Sequence, residues 1–143
     1  MSIGKKLALK DGDVLSLVSA PANVRAHIEK DVGKSNVATK ASAKTKALVT
    51  FVSSKSEVDR AAKTAMAAGD AGASVWFAYP KGRKDIDISR DKGWDALNAA
   101  GWIPVSLFAI DDAWSALRFK HDPKLQKQRS TRAFARKATT KRR

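Results

Sequence analysis

Residues 76–94, WFAYPKGRKDIDISRDKGW, join a predicted buried strand to a dense group of charges. Four of its cations follow the expected carboxyl end of that strand, where open α/β sheets commonly bind ligands; they are Lys81, Arg83, Lys84 and Arg90. Cations that converge with backbone amides at the start of a helix can hold a phosphate. The stretch therefore contains a candidate anion site.

Carboxylates in the same stretch favour a different interpretation. Asp85, Asp87 and Asp91 would pair with the cations, and Ser89 would only cap the helix predicted over residues 90–100. Three carboxylates that compete for the same cations disfavour a phosphate site. A solvated polar turn is therefore the preferred interpretation, with the anion site as its alternative.

Residue types that commonly perform catalysis are sparse elsewhere. His27 flanks the apolar stripe of a predicted helix and has no nucleophilic serine motif or second metal ligand nearby. Asp111 and Asp112 fall in a predicted tight turn, where aspartate commonly bonds its own backbone. The absence of cysteine excludes disulfides, thiolate zinc sites and a cysteine nucleophile. We expect no catalytic residue, no metal and no cofactor, which favours a protein that is not an enzyme.

Apolar runs that alternate with helical patterns define the expected elements. The runs that predict strands are residues 13–18, 47–52, 73–79 and 103–110, with a weaker one at 36–39. Val24 and Ile28 recur at helical spacing, and Gly33 should end that helix in the left-handed conformation. Residues 114–119 alternate between two faces, which predicts an antiparallel hairpin with the preceding strand.

Two further helices complete the pattern. Ser54 and Glu57 match a capping box, in which the Ser54 hydroxyl accepts from the Glu57 amide and the Glu57 carboxylate accepts from the Ser54 amide. That helix should reach about Ala68, and the next should cover residues 90–100, capped by Ser89 or Asp87. Such alternation predicts an α/β, three-layer, Rossmann-like domain over residues 1–120, with a mainly parallel sheet ending in an antiparallel hairpin.

Several segments carry a resemblance to a known family. Residues 9–21, 76–82, 87–101 and 110–119, with the strings AYPKG…DISRDKGW and IDDAWSALRF, resemble an uncharacterised bacterial domain-of-unknown-function family. The resemblance covers about residues 7–120 and implies a fold similar to a reduced S-adenosylmethionine methyltransferase. Methyl transfer itself is not expected. The first strand ends at Ser19 without the glycine-rich loop that such a cofactor needs, and no acid follows residues 36–39.

Charge is distributed unevenly along the chain. The sequence has 28 Lys and Arg against 14 Asp and Glu, and residues 118–143 contain eleven of the cations and one of the acids. This composition predicts a basic, disordered arm at residues 121–143 that contacts DNA or RNA without reading sequence. The residues expected to contact phosphate are Arg129, Arg132, Arg136, Lys137, Lys141, Arg142 and Arg143.

Two alternatives to the arm hypothesis stay open. The first is a small-molecule or anion binder, or an enzyme, at the carboxyl edge of the sheet around Ser19, Tyr79, Lys81 and Arg90. The second is an interaction module without a ligand. No apolar run approaches the roughly 20 residues that span a bilayer, and residues 1–10 lack the apolar core of a signal peptide. We expect a cytoplasmic protein without a membrane partner; its oligomeric state is not predicted.

Overall fold

The computed structural model describes residues 3–7, 9–10, 12–83, 85–90 and 92–124. Strands and helices alternate along most of this length, which confirms the predicted α/β class. The elements are α1 (Ile3–Lys6), β1 (Val14–Val18), α2 (Ala22–Val32), β2 (Val37–Ala38), β3 (Thr45–Phe51), α3 (Lys55–Asp70), β4 (Ser74–Pro80), α4 (Asp95–Ala99), β5 (Trp102–Ala109) and β6 (Trp114–His121), with a short 3-10 turn at Lys34–Asn36.

Six strands form one mixed sheet in the order β2-β1-β3-β4-β6-β5. β1 to β4 pair in parallel, whereas β6 is antiparallel to both of its neighbours, β4 and β5. The sheet is therefore mainly parallel and ends in the predicted antiparallel hairpin. The inner strand of that hairpin is the antiparallel one, and the edge strand β5 runs in the same direction as β4.

The core lies on both faces of this sheet. Because side chains alternate along a strand, successive residues of β3 and β4 enter two separate apolar clusters. One cluster contains α3 and α4 residues and includes Leu48, Val58, Phe77, Leu97 and Phe119. The other contains α1 and α2 residues and includes Leu15, Leu17, Val24, Ile28 and Trp76. Burial of each large side chain contributes about 2 kcal/mol. Because α3 packs in the first cluster and α2 in the second, the two helices lie against opposite faces of the sheet.

Two of the predicted helix ends differ in detail. The Glu57 amide donates to the Ser54 hydroxyl over 3.2 Å, as predicted, but the Glu57 carboxylate accepts from the Ser53 amide and the Ser54 hydroxyl, each over 3.3 Å. The carboxylate thus binds one amide earlier than expected. Gly33 ends α2 with φ 92° and ψ 124°, so it has a positive φ but not the left-handed helical conformation.

The helix predicted over residues 90–100 was wrong in length, since α4 begins only at Asp95. Ser89 instead forms a bridge with Lys92, and between that bridge and α4 lies Gly93 with φ 96°. A Cβ atom at Gly93 would lie 2.4 Å from Ile88 Cγ2, so this turn requires glycine. The side chains of Trp94 and Leu97 in this stretch are both buried.

Candidate functional site

The direction of chain progression reverses between two neighbouring strands of the parallel sheet. From β1 the chain passes through α2 to β2 on one side, and from β3 it passes through α3 to β4 on the other. The two helices lie on opposite faces of the sheet. The chain segments that leave the carboxyl ends of β1 and β3 therefore turn away from each other. Such a reversal leaves a crevice at the carboxyl edge, where open α/β sheets bind ligands.

A cavity of about 460 Å³ occupies this reversal, and we call it the switch-point cavity. Its volume is within the range of small-molecule sites. The strand ends and α3 supply its lining, which consists of Val18, Ser19, Thr50, Phe51, Val52, Glu57, Arg60, Ala61 and Thr64. Among the residues proposed from sequence for the carboxyl edge, Ser19 lines this cavity.

Ser19 has an uncommon backbone conformation. Its φ of 62° is the one positive value at a non-glycine position in the described part of the chain. A left-handed conformation costs an L-residue other than glycine about 1–2 kcal/mol. Ser19 directly follows β1 and lines the switch-point cavity. Backbone strain is common at functional sites. This strained residue lies where the topology predicts a ligand.

Thr50 is a buried polar residue of the same cavity, with 4% of its surface exposed. Two other buried hydroxyls, those of Ser16 and Thr45, bond each other over 2.8 Å. The Thr50 hydroxyl, in contrast, has no side-chain hydrogen bond to any residue that the structure describes. Glu29 Oε2 is the one fully buried side-chain polar atom without a hydrogen-bond partner among the described residues, so the Thr50 hydroxyl is reached by solvent through the cavity and is available to a molecule there.

The charges of the cavity come from one turn of α3. The Glu57 carboxylate is engaged by the Ser53 amide and the Ser54 hydroxyl at the helix start. Arg60 is exposed and forms no ion pair within the described ranges. The lining therefore presents one cation without a carboxylate partner, together with the hydroxyls of Thr50 and Thr64.

Residues Thr50, Arg60 and Thr64 were missed by the sequence interpretation. Thr50 interrupts an apolar strand run, and Arg60 and Thr64 are four residues apart on α3, which places them on one side of a helix. These signals were readable. Their convergence with Ser19 was not, because it depends on which strands are neighbours.

The amino end of α3 also involves Asp87 from the charged stretch. The Lys55 amide donates to Asp87 Oδ1 over 2.8 Å. The expectation that Asp87 caps the following helix was wrong, since Asp87 instead binds the first turn of α3, 32 residues earlier. With Ser54 and Asp87 in place, two amides of that turn already have acceptors, and an external anion is not needed there.

The described cations of the predicted anion site do not share one environment; these are Lys81, Arg83 and Arg90. Arg83 pairs with Asp85, its Nε lying 2.7 Å from Oδ1 and its Nη2 lying 2.5 Å from Oδ2. This side-chain hydrogen bond lowers the pKa of Asp85 to about 2 and raises the pKa of Arg83. The Lys81 amide donates to the Ala113 carbonyl at the β5–β6 turn.

Arg90 lines a second cavity of about 410 Å³ beside β5, in which neither Lys81 nor Arg83 takes part. Its predicted place at a helix start was wrong, because α4 begins five residues later. Lys84 lies outside the described residues. The anion site stays a prediction, and at least one of its cations, Arg83, is matched by a carboxylate.

The alternative grouping of Ser19, Tyr79, Lys81 and Arg90 does not share one of these two cavities. Tyr79 is buried, and its ring centroid lies 6.0 Å from that of Trp94. The Asp111 carboxylate accepts from the Ala113 and Trp114 amides, each over 2.8 Å, which confirms the predicted backbone role. His27 is exposed on α2.

The basic C-terminal segment, residues 118–143, begins at the opposite edge of the sheet. Arg118 and Lys120 are exposed on β6, and the guanidinium of Arg118 lies 6.0 Å from the ring of Trp76. The Asp122 amide donates to the Gly101 carbonyl over 2.9 Å, just before β5 begins. The seven predicted phosphate contacts lie outside the described residues; they are Arg129, Arg132, Arg136, Lys137, Lys141, Arg142 and Arg143.

No helix in the described ranges combines the length and apolarity needed to cross a membrane. No three His, Cys, Asp or Glu side chains in the same ranges lie close enough to hold a metal ion.

Comparison with known proteins identifies no relative: no family model, no curated protein and no solved structure matches the chain. The resemblance to a bacterial domain-of-unknown-function family therefore stays a prediction.

Proposed function

We propose that this protein contacts nucleic acid non-specifically through the basic C-terminal segment, without catalysing a reaction. The separation of charge carries the proposal, since residues 118–143 contain eleven Lys and Arg and one acid, a net charge of +10 in a chain of +14. Such a concentration of cations binds phosphates by releasing condensed counterions. The remainder of the chain, with a net charge of +4, supplies a mildly basic scaffold.

Support also comes from the described start of the segment. Arg118, Lys120 and Lys124 are exposed, and the first two belong to a strand that is hydrogen-bonded on both sides. Arg118 also lies over an aromatic ring, an arrangement that keeps its charged group on the protein surface. Cations on a paired strand can bind phosphate without the cost of ordering the backbone, so only side-chain freedom is lost.

We further propose the finer fold assignment, a three-layer, Rossmann-like domain. The parallel strands β1 to β4, the packing of α2 and α3 on opposite faces and the reversal between β1 and β3 support it. We propose the division of the chain into residues 1–120 and 121–143. A truncation after residue 120 would remove the last residue of β6, which extends to His121, and the hydrogen bond from Asp122 to Gly101.

The test compares the full chain with a full-length variant in which all seven predicted phosphate contacts are changed to Gln. Binding to labelled duplex DNA and single-stranded RNA is measured between about 50 and 200 mM salt. For the unaltered protein on duplex DNA we expect log K to fall against log salt with a slope of about −6 from the seven contacts, at about 0.9 per contact, and about one unit steeper with a further contact from Arg118. The variant should lose most of this slope.

A matched control removes the same number of exposed cations from the scaffold. Its substitutions to Gln are at Lys10, Lys30, Lys34, Lys40, Lys44, Lys63 and Lys92. The control should retain the slope, because these residues lie outside the basic C-terminal segment. Equal losses in the two variants would mean that net charge alone drives binding, and an unchanged slope in the first variant would overturn the proposal.

A further inference from the structure

We infer that the switch-point cavity binds a small organic anion, one that carries a terminal carboxylate or phosphate on an apolar or ring-shaped body. This ligand site is separate from the nucleic-acid contact proposed above and does not depend on it. Four independent features of the described residues carry the inference: the position of the cavity in the topology, a threonine hydroxyl that is open to the cavity, a strained backbone and an uncompensated cation.

The position and the volume of the switch-point cavity are those of a small-molecule site. The cavity lies at the carboxyl ends of β1 and β3, where the chain reverses direction, and its volume is about 460 Å³. Crevices at such reversals are the usual ligand sites of open α/β sheets. A volume of this size accommodates a small molecule rather than a macromolecule.

Three hydroxyls of the lining are open to a ligand. The Thr50 hydroxyl has no side-chain hydrogen bond within the described ranges and is reached by solvent through the cavity. Ser19 and Thr64 belong to the same lining and are exposed. A ligand that supplies oxygen acceptors would replace water at these hydroxyls, and its apolar body would contact Val18, Val52 and Ala61.

The charged side chains of the lining determine the sign of the charge that the ligand carries. Arg60 is the one cation of the lining and has no ion-pair partner among the described residues, whereas the one acid, Glu57, accepts two hydrogen bonds at the start of α3. Arginine binds carboxylates and phosphates through paired N–H donors. Cations and metal ions are poor candidates, because they require free carboxylates.

Backbone strain at Ser19 is explained by the same ligand. A φ of 62° turns the chain directly after β1 and places this residue in the cavity wall. Glycine would adopt the turn without strain, so the serine side chain is present at an energetic cost. A hydroxyl that contacts the ligand accounts for its presence there.

The experiment is a ligand titration of the full-length, ¹⁵N-labelled protein followed by backbone amide shifts. The probes form two matched pairs, adenosine monophosphate with adenosine and benzoate with benzyl alcohol. We expect the anionic member of at least one pair to shift the amides of residues 18–19, 50–52 and 60–64, and its neutral partner to shift them far less. No shift with either anion up to about 10 mM, or equal shifts within both pairs, would overturn the inference.

Three variants locate the binding groups. Arg60→Gln should weaken binding of the anion about tenfold or more, because a charge-assisted hydrogen bond is lost. Lys63→Gln removes a charge from the same helix outside the cavity and should change affinity less than twofold. Thr50→Val keeps the side-chain shape and should weaken binding several-fold. Equal effects of the Arg60 and Lys63 changes would contradict the assignment.

One more arm separates this site from the basic C-terminal segment. In the variant whose seven phosphate contacts are changed to Gln, adenosine monophosphate should still shift the cavity amides with unchanged affinity. Loss of those shifts would show that the anion binds the segment instead, and would overturn the cavity site. Failure of the nucleic-acid proposal would leave this result unaffected.

Discussion

At the scale of single residues, Ser19 combines a structural cost with a position in a ligand cavity. Its φ of 62° lies in the left-handed region, which serine adopts less readily than glycine or asparagine. Backbone strain of this kind clusters at functional sites. The position therefore allows a stability measurement that bears on function.

Replacement of Ser19 by Gly should raise the free energy of unfolding by about 0.5–1 kcal/mol. Relief of about 1–2 kcal/mol of strain is partly offset by the greater backbone freedom of glycine in the unfolded chain. Urea denaturation of the two proteins measures the difference. Ala20→Gly is the control and should destabilise, since Ala20 has no positive φ. A Ser19→Gly protein less stable than the unaltered one would contradict the strain argument.

Residue roles that depend on near neighbours in the chain were predictable. Asp111 bonds amides two and three residues ahead, and Ser54 bonds the amide three ahead, as expected from their types. Asp87 was assigned to cations and a helix close to it in sequence, yet it bonds Lys55 across 32 residues. Contacts of that kind require the tertiary fold, which residue spacing does not specify.

At the scale of elements, the Asp87 contact joins the loop after β4 to the start of α3. The Lys55 amide is one of the first amides of that helix and has no partner within it. A carboxylate there satisfies the amide and interacts favourably with the helix dipole. The charged stretch is thus partly a structural element that positions α3, one wall of the switch-point cavity.

Asp87→Ala should lower the free energy of unfolding by about 1 kcal/mol, the typical effect of losing a helix cap. Asp85→Ala is the matched control, because the Asp85 side chain bonds the exposed Arg83 two residues away. Exposed ion pairs of this kind contribute little, so the control should leave the urea midpoint unchanged. If the two variants behave alike, Asp87 is a surface charge and not a cap.

The predicted strands were found because buried strands have continuous apolar runs. Helix α4 was overestimated because Gly93 interrupts a pattern that otherwise resembles a longer helix. The place of β6 inside the sheet was not predicted, although its side chains indicate it. Leu117 and Ala116 are buried on opposite faces, whereas Val105 and Leu107 of the edge strand β5 are 36% and 44% exposed.

At the scale of the whole molecule, the switch-point cavity and the described start of the basic C-terminal segment lie at opposite ends of the strands. β4 and β6 pair from Val75 with Phe119 at one end to Pro80 with Trp114 at the other. Five residue steps along a strand span about 17 Å. The Debye length in physiological salt is about 8 Å. Charges at the cavity should therefore have little influence on a phosphate held by Arg118 at the amino end of β4.

This separation predicts that Arg60→Gln leaves duplex DNA binding unchanged within twofold, with the same dependence on salt. Arg118→Gln is the matched control at the amino edge, and it should reduce the magnitude of the salt slope by about 1, the effect of one lost phosphate contact. Both variants remove one exposed arginine; they differ in position and in the contact of Arg118 with the Trp76 ring. A reduced slope for Arg60→Gln would mean that nucleic acid extends to the carboxyl edge, in which case the cavity and the basic C-terminal segment would form one interface. An unchanged slope for both would place the phosphate contacts entirely beyond β6.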